Sequence, residues 1–117
     1  MSLDQQKRQL RAQVQRWAER IRVQPTGVYI QRMTNKWASC SSTGRLCFSL
    51  DLLSQPPDFQ EVVIVHELLH LRFPNHGRVF KSLLSAYLPS WRRCLRDRRA
   101  FALHSCPSEG RGEEGQR

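Results

Sequence analysis

The sequence predicts a single α+β domain, and three features predict it. A helical hydrophobic pattern fills the first twenty or so residues, two strand-forming runs flank a polar turn, and an almost wholly apolar helix precedes two further helical segments. A chain of 117 residues can close one compact core and is short for two. The fold class follows from that order: an N-terminal helix, a small antiparallel sheet, a buried helix and C-terminal helices.

Residues 3–22 carry Leu10, Val14, Trp17 and Ile21 at helical spacing, with Lys and Arg on the other faces. Ser2 and Gln5 have the spacing of a capping box, and Pro25 and Gly27 end the element. Residues 28–33, Val-Tyr-Ile-Gln-Arg-Met, are rich in strand formers. The turn Ser41-Ser42-Thr43-Gly44 then leads into a second strand over 45–50, and residues 36–40 can add a short third one. Pro56-Pro57 followed by Asp58 and Glu61 starts a helix, since proline fits the first turn and carboxylates suit the positive end of the dipole. That helix is expected to run to about Phe73, where Pro74 stops it. A further helix over 77–88 presents Val79, Phe80, Leu83, Leu84, Tyr87 and Leu88 as its apolar face. Pro89 interrupts it, and an Arg-rich helical segment with Trp91 and Leu95 continues to about residue 103. Residues 1–104 thus form the domain, and 105–117, with little apolar content, are expected to be a disordered tail.

The formal net charge of +9, from 19 Lys+Arg, favours acidic partners such as nucleic acid or nucleotides, and is equally served by a solvated basic surface. No run approaches the roughly 20 apolar residues of a membrane span, and the first fifteen residues lack the apolar block of a secretory signal. A cytoplasmic chain without a membrane partner is expected, with Cys40, Cys47, Cys94 and Cys106 as reduced thiols.

The chemistry lies in His66-Glu67-Leu68-Leu69-His70, an H-E-x-x-H pattern. Residues i and i+4 of a helix stand about 40° apart around its axis and about 6 Å along it, so both imidazoles lean over one patch. They can share one zinc ion at about 2.0–2.1 Å. Glu67 lies about 100° round from His66, where it flanks the patch and can reach the water that the ion activates. Val62, Val63, Ile64, Val65, Leu68, Leu69 and Leu71 make the helix apolar nearly all round, hence buried. Three polar side chains there are costly unless something satisfies them, and a metal does. A third protein ligand is needed. The downstream candidates are His76, Asp97, His104 and the tail glutamates, and His76 is best placed because Pro74 turns the chain back towards the helix. The spacing H-E-x-x-H-x5-H is similar to the metzincin pattern, but Phe73 stands at its glycine.

Lys36-Trp37-Ala38-Ser39-Cys40-Ser41, the D-L-L at 51–53, the run Val62 to His76 and Arg78-Val79-Phe80 together resemble the YgjP-like metallopeptidase domain, a relative of the SprT-like and WLM zincins. The resemblance spans about residues 28–92. Ala38 and Lys36 stand where that family usually has Gly and Arg. The resemblance implies a minimal zincin fold, with the sheet packed on the motif helix, His76 as third ligand and a substrate cleft along the sheet edge. It also implies a zinc-dependent hydrolase, most specifically a metallopeptidase acting on peptides or proteins.

In such chemistry Glu67 takes a proton from water and later delivers it to the leaving amine, and a donor such as Tyr87, Lys36 or an arginine stabilises the oxyanion. The strand at 45–50 is a candidate edge for an extended peptide. Two other readings are open at this level. One is a metal-dependent nucleotide phosphoanhydride hydrolase, for which arginines are apt; the other is a nucleic-acid-associated binding module with non-catalytic zinc.

Overall fold

A computed structural model describes residues 2–34 and 36–96, with the side chains of 94–96 excepted. Helix α1 spans Leu3–Ile21, and Ser2 and Gln5 close the expected capping box at its start. Leu10, Val14, Trp17, Ala18 and Ile21 form its buried stripe. The helix ends on Arg22 in the left-handed region (φ 67°), whose N–H reaches the Ala18 carbonyl. Arg72, far along the chain, donates to the Ile21 carbonyl at 3.4 Å and so places a cation at the negative end of the α1 dipole.

The sheet contains β1 (Gly27–Gln31), β2 (Ala38–Cys40) and β3 (Arg45–Ser49) in the order β1-β3-β2. It is mixed: β2 runs antiparallel to β3, whereas β1 runs parallel to it. The expected all-antiparallel sheet is therefore corrected. The polar turn joins β3 to the short run 38–40 rather than to the longer run before it. That hairpin occupies one side of β3, so β1 takes the other side, where it runs in the opposite sense to β2. Gly44 makes the turn possible, since its φ of 91° is strained for any side chain and its N–H donates to Ser41 at 3.1 Å. The second consequence is that β3 is the central strand. The free edge beside the helices belongs to β2, and the expectation of β3 as a peptide-pairing edge is overturned.

A 3-10 turn over Leu50–Ser54, unassigned from sequence, delivers the chain to helix α2 (Pro57–Leu69). Gln60 fastens this junction. Its amide donates to the Leu52 carbonyl at 2.9 Å and its oxygen accepts from Gln13 of α1 at 3.0 Å. Helix α2 packs against α1, β2, α3 (Arg78–Tyr87) and α4 (Trp91–Arg96), which explains why every residue from Val62 to Leu69 is buried. Burying each such Val, Leu or Ile stabilises by about 1.5–3 kcal/mol, so the apolar surround of α2 is the main source of cohesion. Trp37 stands edge-on to Phe59 of α2 at 5.1 Å, and its carbonyl accepts from the Ser49 N–H at 2.8 Å. With Ala38 wholly buried next to it, this tryptophan sets β2 against α2.

Helix α2 ends at Leu69, four residues short of the expected stop. Its last turn tightens instead, with the N–H groups of His70, Leu71 and Arg72 each reaching the carbonyl three residues back. Among the described residues no helix is long and apolar enough to cross a membrane. Cys47 is a free thiol, as expected. The continuation of α4 to residue 103, the tail 105–117 and the alternative ligands Asp97 and His104 lie outside the described residues.

Candidate metal centre

Helix α2 supplies two imidazoles and one carboxylate from its buried C-terminal half. His66 is 5% exposed and Glu67 is 0% exposed, so both were carried into the core with the apolar residues around them. The tightened last turn keeps His70 above His66, with ring centroids 4.8 Å apart. After Pro74 the chain turns back, and His76 enters just before Gly77, the N-cap of α3. Its ring centroid lies 4.8 Å from that of His66 and 4.6 Å from that of His70. One nitrogen from each ring falls within 4.8 Å of the others, an arrangement able to hold a metal ion. Nε2 of His70 and Nε2 of His76 already approach to 2.8 Å. A tetrahedral ion with bonds of about 2.05 Å sets its ligands about 3.3 Å apart, so a small outward shift would seat one.

The donor chemistry fits a cation. Burial pushes the His66 imidazole down to about 3, aided by His76. Burial likewise takes His70 down to about 4, against the opposing pull of Glu67 and the Phe73 backbone. Both rings are thus neutral at neutral pH and offer lone pairs without first losing a proton. Glu67 is displaced the other way, to about 7, because burial disfavours its charged form more than His70, His76 and Lys36 favour it. Its Oε2 shares a hydrogen bond with His66 Nδ1 at 3.1 Å, and its Oε1 has no hydrogen-bond partner among the described residues. A buried carboxylate with one unsatisfied oxygen costs about 1–3 kcal/mol, and a cation beside it removes much of that cost.

That opposition yields a measurable consequence. A cation arriving beside Glu67 lowers its pKa, so metal binding near pH 6 releases about one proton from a carboxyl that is otherwise still protonated. Calorimetric titration in buffers of different ionisation enthalpy should detect it. The Glu67→Gln protein should lack it, and equal release from both proteins would contradict the assignment.

Sequence reasoning treated Phe80 as one more core residue of α3. It is 2% exposed, and its ring centroid lies 5.3, 4.9 and 4.8 Å from those of His66, His70 and His76. It is the common wall against which all three imidazoles are held. Its place four residues after His76, in the first turn of the next helix, was the available signal. Cys40 on β2 was also missed as a neighbour: burial and the charge of Glu67 push its thiol up to about 12, so it stays protonated. Tyr87, by contrast, packs edge-on to Trp17 at 5.9 Å with Arg20 over its ring, at the contact between α3 and α1.

Residues 2–98 match the model of the YgjP-like, metallopeptidase domain family. The chain belongs to that family. The YgjP-like fold is shared with two solved structures. One is the metallopeptidase zymogen jannalysin of Methanocaldococcus jannaschii, with a TM-score of 0.62 and 24% identity over 67% of this chain and 80% of that chain. The other is the metallopeptidase zymogen abylysin of Pyrococcus abyssi, with a TM-score of 0.67 and 18% identity over 77% of this chain and 90% of that chain. No curated protein sequence matches this chain. As a YgjP-like protein the chain is a metallopeptidase-type hydrolase that works with a divalent metal. A structural zinc module would be closed by four ligands, typically rich in cysteine. Among the described residues the cluster has three histidines, and neither Cys40 nor Cys47 is part of it.

Proposed function

We propose that the YgjP-like chain is a zinc peptidase in which His66, His70 and His76 hold the ion and Glu67 is the general base. One observation carries this reading: three imidazoles with ligand nitrogens within 4.8 Å of one another, beside a buried carboxylate held at about 7. Three histidines form an open donor set, which suits catalysis better than structure, and a nitrogen-rich set suits zinc better than magnesium or calcium. When bound, zinc acidifies a water and polarises a carbonyl.

The chain's own residues divide the remaining work. Glu67, with a pKa close to the operating pH, can accept a proton from the attacking water and return it to the leaving amine. Phe80 fixes the three ring planes and keeps bulk water from that side. Lys36, which draws down the Glu67 pKa through its charge, is the cation best placed to meet a developing oxyanion. Tyr87 is engaged elsewhere. An extended peptide would pair with the outer edge of β2, the strand that packs on α2. The free thiol of Cys47 suits a reducing compartment such as the cytoplasm.

Zinc-loaded protein is expected to cleave unfolded protein or quenched fluorescent peptides. Chelation should abolish the cleavage, and stoichiometric zinc should restore it. Activity that persists unchanged after chelation, with metal absent by elemental analysis, would refute the assignment.

A further inference from the structure

Helix α3 has two faces of different chemistry. Phe80 and Leu84 are buried, with Leu83, Tyr87 and Leu88 packed beside them. Opposite, Arg78, Lys81, Ser82 and Ser85 recur at i, i+3, i+4 and i+7, one continuous stripe. This stripe, together with His76, Gly77 and Arg92, lines a cavity of about 690 Å3 that opens beside the His cluster. Among the described residues its walls carry three permanent cations and two hydroxyls, and no carboxylate.

Part of the lining is fixed in advance. The Arg92 guanidinium lies over the Trp91 ring at 4.7 Å, and the Trp91 indole N–H donates to Ser85 Oγ at 2.8 Å. Arg92 is thereby held against α3. Gly77 gives α3 no side-chain cap, and its first turn holds no acidic residue, so the positive pole of the helix faces the same cavity. Among the described residues no carboxylate pairs with Arg78, Lys81 or Arg92. Three cations gathered with no counter-charge among the described residues repel one another, and an anionic group entering between them removes that repulsion.

We propose that this groove is a specificity subsite that takes an acidic side chain, Asp or Glu, of the peptide substrate. The proposal rests on the peptidase reading above and adds its substrate preference. His76 belongs to both the metal cluster and the cavity wall, so a side chain a short distance along the peptide from the scissile bond falls within the groove. Hydroxyls of Ser82 and Ser85 suit a carboxylate as hydrogen-bond donors.

The test uses zinc-loaded protein and quenched peptides in which a single Glu is walked along the sequence, each matched by its Gln counterpart. At one position kcat/KM for Glu should exceed that for Gln by about tenfold, the size a few partly screened charge contacts supply. Arg78→Glu/Lys81→Glu should bring the ratio below unity, and Arg78→Gln/Lys81→Gln should bring it close to unity. Molar salt should erode it in the parent protein. Equal rates at every position, or a preference that survives both double variants, would overturn the proposal. Binding of the same peptides, followed by fluorescence anisotropy, separates this subsite from the activity. Acidic preference in binding without any cleavage would sustain the groove and sink the peptidase reading. Inorganic tripolyphosphate bound through Arg78 and Lys81, with no acidic preference among peptides, would overturn the proposal in favour of a phosphate ligand.

Discussion

Glu67→Gln is expected to reduce peptide cleavage by about a thousandfold, within the range that loss of a general base produces, while the protein retains its zinc. The substitution keeps size and burial and leaves an amide beside His66, so the three donors stay in place. What disappears is the group able to accept a proton from the attacking water. The same change has a separable effect on folding. In the metal-free protein the Glu67 carboxyl has its pKa raised to about 7 from 4.5 by burial. A carboxyl with a raised folded pKa contributes fully below the unfolded value and loses that contribution as pH climbs through the folded one. Parent and variant should therefore be closest in stability below pH 4.5, and the Gln protein should gain on the parent up to about pH 7, by on the order of 3 kcal/mol. Activity lost together with zinc, or a variant that falls below the parent over that interval, would show Glu67 to be a structural member of the cluster.

His70→Ala is expected to lose the metal altogether. His70 is only half-buried, at the end of α2, so its removal leaves the apolar surround of the helix intact, unlike loss of His66. Removing a residue that merely supports a ligand lowers metal affinity by about 10–100-fold, and removing a ligand outright should exceed that. The readout is the melting temperature with and without zinc. At free zinc about a thousand times its dissociation constant, binding stabilises the parent by about 4 kcal/mol, and the variant should show no such rise. Elemental analysis after gel filtration gives the direct measure. A variant that melts like the parent in zinc would show that His70 is not a donor.

Much of this was legible in the residues themselves. The helix start at Pro56-Pro57, the capping box at Ser2 and the all-round apolar character of α2 are local signals, and each appears where the spacing put it. The pairing of His66 with His70 follows from helical geometry alone, and the return of His76 from the stop at Pro74. Sheet topology was hidden for a physical reason. Strand propensity marks residues 28–33 and 45–50 as strong and 38–40 as weak, yet the hairpin turn joins the weak strand to the second strong one. Which strands pair is decided by the turn and by the packing of Trp37 and Ala38 on α2, neither of which propensity records. The end of α2 was misplaced similarly, because a tightened last turn looks like α-helix to a periodicity. Phe80 and Cys40 were invisible as site residues since apolar contact across elements leaves no spacing to read.

The three imidazoles sit in ground of unequal firmness. Two belong to the helix against which α1, β2, α3 and α4 pack, His66 in its buried half and His70 at its C-terminal end. The third hangs on an exposed stretch, residues 74–77, between α2 and α3. Were the three rings to hold an ion as proposed, the outer one is expected to let go first while the inner pair keeps its grip. Such a centre is anchored like a permanent fixture and latched like a loan.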